Sequence, residues 1–164
     1  DAWRSRHEVQ AAVRSRLEGE AEGAEALTAE EVALRQKVVE DVTAELPAVV
    51  LAFMFDLLTG AEYARKSGKS ASALRVGFLA SKVPALTRYV RELVTIENED
   101  EVELLEVTTE HIALVVATVP GAAEALGVVA EKAQPTELIG ATLSRMVRIY
   151  AARLNPARGG ADRP

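Results

Sequence analysis

The segment Ser67-Gly68-Lys69-Ser70 contains the residue types that close a phosphate-binding loop. In such loops an earlier glycine lets the backbone N–H groups surround the phosphates, and a strand precedes the loop. Tyr63 occupies the position of that earlier glycine, and the surrounding sequence has a helical pattern. The sequence therefore argues against a nucleotide-binding loop.

Acid–base and metal chemistry have few candidate residues. Glu103, Glu106 and Glu110 have the spacing of one helix face and could hold a divalent cation. No Glu-x-x-His helix accompanies them, so a solvated acidic face is the better interpretation. His7 and His111 are the two histidines, and both are interpreted as structural or exposed. Cysteine is absent, which excludes disulfides and thiol catalysis. The sequence predicts no catalytic residue, metal or cofactor, and hence no enzyme.

Charged residues are segregated along the chain. Residues 63–91 contain seven basic side chains and no acidic one, whereas residues 92–131 contain ten acidic side chains and no lysine or arginine. Segregated charge accelerates and orients association between proteins. We predict that a basic patch and an acidic block bind a protein partner. The basic patch consists of Arg75, Lys82, Arg88 and Arg91, and the acidic block of Glu99, Asp100, Glu103 and Glu106.

Two other interpretations of this charge pattern stay open. Adjacent segments of the fold could neutralise one another while solvent screens the rest. Nucleic-acid binding by residues 65–91 is the less favoured alternative, because the patch offers only Phe78 and Tyr89 for base stacking and the net charge is −6.

The elements that position these residues are predicted from an internal repeat. Pro47, Pro84, Pro120 and Pro156 are separated by 37, 36 and 36 residues, and apolar residues flank the first three at helical spacing. A fixed period of this length predicts helical-hairpin repeats. The chain would form a short α-solenoid or a bundle of proline-kinked helices, with kinks slightly favoured over breaks. The predicted helices are 3–20, 29–46, 47–61, 71–83, 84–97, 100–119, 120–133 and 136–154, with Thr28 capping the second.

The segment Val83-Pro84-Ala85-Leu86, followed by Val90, resembles the start of the long helix in armadillo and HEAT-type repeats. Leu46-Pro47-Ala48-Val49, with Phe53, is similar. The resemblance implies an all-α scaffold on which partner proteins dock.

Length and composition predict one all-helical domain over residues 1–155 and a flexible tail over 156–164. The chain begins at Asp1 without a leader, so we expect an excised or processed cytoplasmic fragment. Arginine outnumbers lysine 14 to 5, which indicates a high-GC bacterial source.

Two apolar segments leave alternatives to the scaffold function. The run from Ile112 to Ala130 is interpreted as a buried hairpin rather than a membrane span, with an exposed remnant as a surface for self-association. Phe53, Met54 and Phe55 could instead line a cavity for a small apolar effector. The preferred function is a non-enzymatic protein-interaction module, and the alternative is a ligand-sensing regulatory domain.

Overall fold

A five-stranded antiparallel sheet with helices on both faces forms the part of the chain that the structure describes. This computed structural model describes residues 28–68, 76–98, 101–132 and 134–159. The helices are α1 (Ala29–Glu45), α2 (Val76–Asn98) and α3 (Thr136–Gly159). The strands are β1 (Val49–Asp56), β2 (Glu62–Ser67), β3 (Leu104–Thr108), β4 (Ile112–Thr118) and β5 (Glu124–Glu131).

The sheet has the strand order β2-β1-β5-β4-β3, and every neighbouring pair is antiparallel. Helices α1 and α3 pack together on one face, and α2 covers the other. At one end of the central pair, Asp56 lies opposite Glu124. The edges of the sheet are β2 and β3, and among the described residues one helix, α2, covers its second face.

The central strands are apolar at almost every position because both faces of the sheet are covered. Every residue of β1 from Val49 to Phe55 is buried. Met54 points into the core beneath α1 and α3, whereas Phe53 and Phe55 point into the core beneath α2. Their two rings stack with centroids 5.8 Å apart. These side chains fill the two cores, so the structure does not place them around an effector cavity.

The helix ends follow the local capping chemistry. Thr28 Oγ1 accepts a hydrogen bond from the backbone N–H of Glu31 at 3.2 Å, which confirms the predicted cap of α1. Helix α1 ends before Pro47, whereas α2 continues through Pro84. Helix α3 runs to Gly159 and includes the first residues of the predicted tail.

The all-α prediction is wrong. The described residues of predicted helices 47–61, 100–119 and 120–133 are in strands and turns, and those of predicted helices 71–83 and 84–97 belong to the single helix α2. The prediction failed because a strand buried on both faces is apolar throughout, so it also supplies apolar residues at helical spacing. In the described ranges, no helix is long and apolar enough to span a membrane.

The proline repeat does not correspond to repeated structure. Pro47 follows α1, Pro84 lies inside α2, Pro120 lies in the turn between β4 and β5, and Pro156 lies in α3. Pro84 and Pro156 lie inside helices, whereas Pro47 and Pro120 lie in turns, so the four prolines do not mark one repeated helical hairpin. The predicted armadillo or HEAT-like solenoid is therefore wrong for the described part of the chain.

Candidate interaction surface

The outward face of α2 carries a stripe of exposed apolar side chains. Phe78, Leu86, Tyr89 and Leu93 are 73%, 38%, 61% and 52% exposed. Their spacing of eight, three and four residues keeps them on one side of the helix. Large apolar side chains grouped in this way are typical of surfaces that contact a protein, a membrane or a ligand. We call these four residues the α2 stripe.

A groove lies on a different flank of the same helix. Because a helix turns through roughly 100° per residue, Arg88 and Thr95 lie about a third of a turn from the α2 stripe. They border a cavity of about 460 Å³ against the loop that follows β1. The cavity is lined by Leu57, Leu58, Arg88, Arg91, Glu92 and Thr95.

A second cavity, of about 220 Å³, shares Leu57 and Arg91 with the first. Its other walls come from Glu101 and Val102, from Thr118 and Val119, and from the turn 121–123. Arg91 thus stands where the two cavities meet. We call the two cavities together the Arg91 groove.

Asp56 builds the loop that forms one wall of the Arg91 groove. Its Oδ1 accepts hydrogen bonds from the backbone N–H groups of Leu58 and Thr59, both at 2.8 Å. Its Oδ2 accepts one from the Tyr63 hydroxyl at 2.7 Å. Gly60 closes the turn at φ +76°, a backbone conformation that favours glycine. The single carboxylate of Asp56 therefore fixes the conformation of this loop.

The loop is also tied to α2. Arg88 Nη2 donates a hydrogen bond of 2.7 Å to the carbonyl oxygen of Leu58. Gly60 also faces α2, and a Cβ there would make an ordinary van der Waals contact of 3.4 Å with the Cβ of Pro84, so its φ rather than a lack of space favours glycine. The sequence Asp56-Leu57-Leu58-Thr59-Gly60 is a turn signal, but the sequence prediction placed all five residues inside helix 47–61.

Replacing Asp56 by alanine is expected to lower the free energy of unfolding by about 1–2 kcal/mol, because three hydrogen bonds to a charged acceptor are lost in a partly exposed site. Burial opposes ionisation, but these hydrogen bonds outweigh it and lower the pKa of Asp56. The carboxylate therefore stabilises the fold above its unfolded-state pKa, and this contribution disappears as the pH falls through the folded-state pKa.

Denaturant titrations at neutral and acidic pH test this prediction. The matched variant is Asp56→Asn, which keeps an acceptor for Leu58 and Thr59 but cannot ionise in this range. It should lose less stability than Asp56→Ala at neutral pH and depend less on acid than the wild type. An Asp56→Ala variant with wild-type stability at both pH values would contradict the role given to this side chain.

A second group of ionisable residues lies between α1, β5 and α3. Arg35 and Glu124 are 2% and 3% exposed and form an ion pair through Arg35 Nη2 and Glu124 Oε1. The Tyr150 hydroxyl donates to Glu124 Oε2 at 2.6 Å. The guanidinium carbon of Arg35 lies 4.1 Å from the ring centroid of Tyr63, whose hydroxyl binds Asp56. The network therefore connects the core to the wall of the Arg91 groove.

The electrostatics of this network keep Arg35 charged and the two tyrosines neutral. Burial alone would lower the pKa of Arg35, but the hydrogen bond and charge of Glu124 outweigh it and raise that pKa. Burial raises the pKa of Tyr150 and of Tyr63, and the hydrogen bond that each donates to a carboxylate raises it further. A charged arginine and neutral tyrosines suit a structural network better than proton transfer.

The structure brings together only part of the predicted basic patch. Arg88 and Arg91 both line the Arg91 groove. Lys82 lies on the side of the α2 stripe, with its Nζ 5.4 Å from the ring centroid of Phe78. Arg75 lies outside the described residues.

The acidic block is placed differently from the sequence prediction. Glu103 precedes β3 and Glu106 lies within it, so these residues and Glu110 do not share a helix face. Glu106 reaches towards α3, where its Oε1 is 2.9 Å from the site of a Cβ at Gly140. Glu99 and Asp100 lie outside the described residues. The structure shows no cluster of metal-ligating side chains within the ranges that it describes.

Comparison with known proteins identifies the fold. No protein-family model and no curated protein matches the chain. The mixed α/β arrangement is that of Roadblock/LC7 domains rather than of armadillo or HEAT repeats. A Roadblock/LC7 domain from Streptomyces avermitilis superposes with a TM-score of 0.57 at 16% identity, covering 73% of this chain and 96% of that one.

Particular structures of the same fold include two of MglB. Myxococcus xanthus MglB has a TM-score of 0.65 at 15% identity, covering 80% of this chain and 95% of its own. An MglB described as having a tetrameric arrangement has a TM-score of 0.64 at 18% identity, covering 77% of this chain and 91% of its own. At these identities the similarity establishes the fold.

Proposed function

We propose that this domain is a non-enzymatic protein-interaction module whose first partner is a second copy of itself. The observation that carries the proposal is the α2 stripe, where three of the four large apolar side chains are more than half exposed. Burying such a stripe against another helix removes apolar surface from water, which is the main driving force of association.

The β3 edge of the sheet also favours association with a second copy. Strand β3 pairs only with β4, so its outer backbone groups are open to another strand in the described structure. Val107, opposite Leu114, is 39% exposed and adds an apolar side chain at this edge. The other edge strand, β2, has the exposed charged residues Glu62, Arg65 and Lys66, which discourage strand addition.

One MglB structure of the same fold has a tetrameric arrangement, which supports assembly of copies for this fold. A non-catalytic function is supported by the buried position of the network around Arg35 and Glu124, which substrate cannot reach without unfolding the core. The negative net charge and cysteine-free sequence are compatible with work in the cytoplasm.

Replacing Leu93 by glutamate is expected to weaken self-association by about 100-fold or more, because the change places a charge in the apolar contact. Sedimentation velocity over a range of concentrations measures this effect. The matched control is Leu138→Glu on α3, since Leu138 is 49% exposed and Leu93 is 52% exposed.

Both variants should retain the circular dichroism spectrum of the wild type. Wild-type protein that stays monomeric at every concentration would refute self-association. Equal weakening by Leu138→Glu would refute the choice of the α2 stripe as the contact surface.

A further inference from the structure

The Arg91 groove combines apolar walls with two guanidinium groups. Leu57 and Leu58 line its wider part, and Leu58 is 65% exposed. Arg88 and Arg91 line the same part from α2. Such a surface can bind an aliphatic side chain and an anionic group that are adjacent in a partner.

The two arginines have different roles. Arg88 is held in place by its hydrogen bond to the carbonyl oxygen of Leu58. Arg91 makes no ion pair with any carboxylate in the ranges that the structure describes, although it is half-buried. A half-buried guanidinium at a cavity wall is suited to a carboxylate, which it can bind through two parallel hydrogen bonds.

The acidic residues of the groove determine the net charge of each cavity and hence the charge expected of its occupant. Glu92 lines the wider cavity and Glu101 the narrower one. The wider cavity thus has two cationic side chains and one anionic side chain, whereas in the narrower cavity Glu101 balances the charge of Arg91. The excess positive charge is therefore confined to the wider cavity, where it favours an acidic occupant.

We infer that the Arg91 groove binds an acidic, aliphatic segment of a partner protein. A carboxylate of that segment binds Arg91, with Arg88 beside it, and a neighbouring aliphatic side chain packs on Leu57 and Leu58. This inference rests on the proposed function as a protein-interaction module and adds the chemistry of a second partner.

The groove remains open when two copies associate through the α2 stripe. Arg88 and Thr95 lie about a third of a turn around the helix from the centre of the stripe, and Glu92 lies about a quarter of a turn from it. One helix can therefore contact a second copy on one flank and an acidic segment on the other. The two binding events can be broken separately by mutation.

The probe is a short peptide of alternating glutamate and leucine. Two control peptides have glutamine or lysine in place of every glutamate. Titration of the labelled full chain, followed by NMR, should shift the backbone signals of Leu57, Leu58 and Thr95. The glutamate peptide should bind tighter than the other two. Arg91→Glu should weaken its binding about tenfold or more, because a charge pair becomes a repulsion.

Glu92→Gln is the matched variant, since it removes the anionic side chain of the wider cavity. It should strengthen binding of the glutamate peptide, in the direction opposite to Arg91→Glu. Equal binding of the three peptides, tighter binding of the lysine peptide, or shifts confined to other surfaces would overturn the inference. Tighter binding of a single-stranded oligonucleotide at the same residues would also overturn it.

Sedimentation velocity separates this inference from the proposed function. Arg91→Glu should leave self-association unchanged, and Leu93→Glu should leave peptide binding unchanged. If the peptide fails to bind while self-association follows the α2 stripe, the groove inference alone fails. If the peptide binds and the protein stays monomeric, the self-association proposal alone fails.

Discussion

Replacing Arg35 by methionine is expected to lower the free energy of unfolding by about 3–5 kcal/mol. The substitution leaves the buried Glu124 carboxylate without the guanidinium that compensates its charge. It also removes the cation that lies over the Tyr63 ring. Methionine retains much of the aliphatic volume of arginine, so charge rather than packing should dominate the loss.

The double variant Arg35→Met/Glu124→Gln separates these contributions. The glutamine oxygen can still accept the hydrogen bond from the Tyr150 hydroxyl, and neither charge of the Arg35–Glu124 pair remains in the core. Much of the lost stability should therefore return, because replacing both partners of a buried ion pair is often close to neutral. Denaturant unfolding followed by circular dichroism measures both variants. A double variant no more stable than Arg35→Met would show that packing, rather than charge, dominates.

The same network gives this prediction a consequence at the surface. Tyr63 contacts Arg35 through its ring and Asp56 through its hydroxyl, and Asp56 holds the loop wall of the Arg91 groove. The side chain of Tyr63 therefore links the core ion pair to the loop that forms one wall of the groove. Replacement of Arg35 should shift the backbone NMR signals of Leu58 and Thr59, whereas the signals of the remote turn at Thr109 should not shift.

The helices with clear boundary signals were predictable from the sequence. Thr28 indicated the start of α1, and the predicted range 29–46 differs by one residue from the observed Ala29–Glu45. Helix α3 was predicted to begin at residue 136, where Thr136 follows Pro135, and it does. These helices have a polar face, so their apolar residues reveal the helical period.

The strands were not predictable in the same way. In β4, residues Ala113 to Ala117 are all buried, because helices cover both faces of the sheet. An uninterrupted apolar run lacks the alternation that identifies a strand with one exposed face. The spacing of Pro47, Pro84 and Pro120 then reinforced a helical interpretation, which the structure contradicts at Pro47 and Pro120, whereas Pro84 does lie in a helix.

The candidate site was half predictable. Arg88 and Arg91 line one cavity because a helix places residues three apart on neighbouring positions, and their role in binding a partner stays a prediction. The loop wall containing Leu57 and Leu58 was missed, since it comes from a strand end that the prediction had placed inside a helix. Pairing a helix with a distant loop depends on the tertiary fold.

Replacing Gly127 by alanine is expected to lower the free energy of unfolding by about 2–3 kcal/mol, since overpacking a well-filled core displaces neighbouring side chains. Gly127 lies in β5 directly opposite Phe53 of β1. A Cβ there would lie 2.7, 2.8 and 3.2 Å from three carbons of the Phe53 ring. That ring is 1% exposed and stacks on Phe55, so it has little room to move.

Gly77→Ala on α2 is the matched control, because a Cβ at Gly77 meets no heavy atom within 4 Å. It should be neutral or stabilise the protein by up to about 1 kcal/mol, since alanine favours helix over glycine. Phe53→Leu combined with Gly127→Ala should lose less than the sum of the two single changes, because the smaller side chain vacates the space that the new methyl group needs. Denaturant unfolding of the four proteins measures this coupling. Strict additivity would mean that the ring of Phe53 does not occupy the space above Gly127, and the packing assigned to the centre of the sheet would then be wrong.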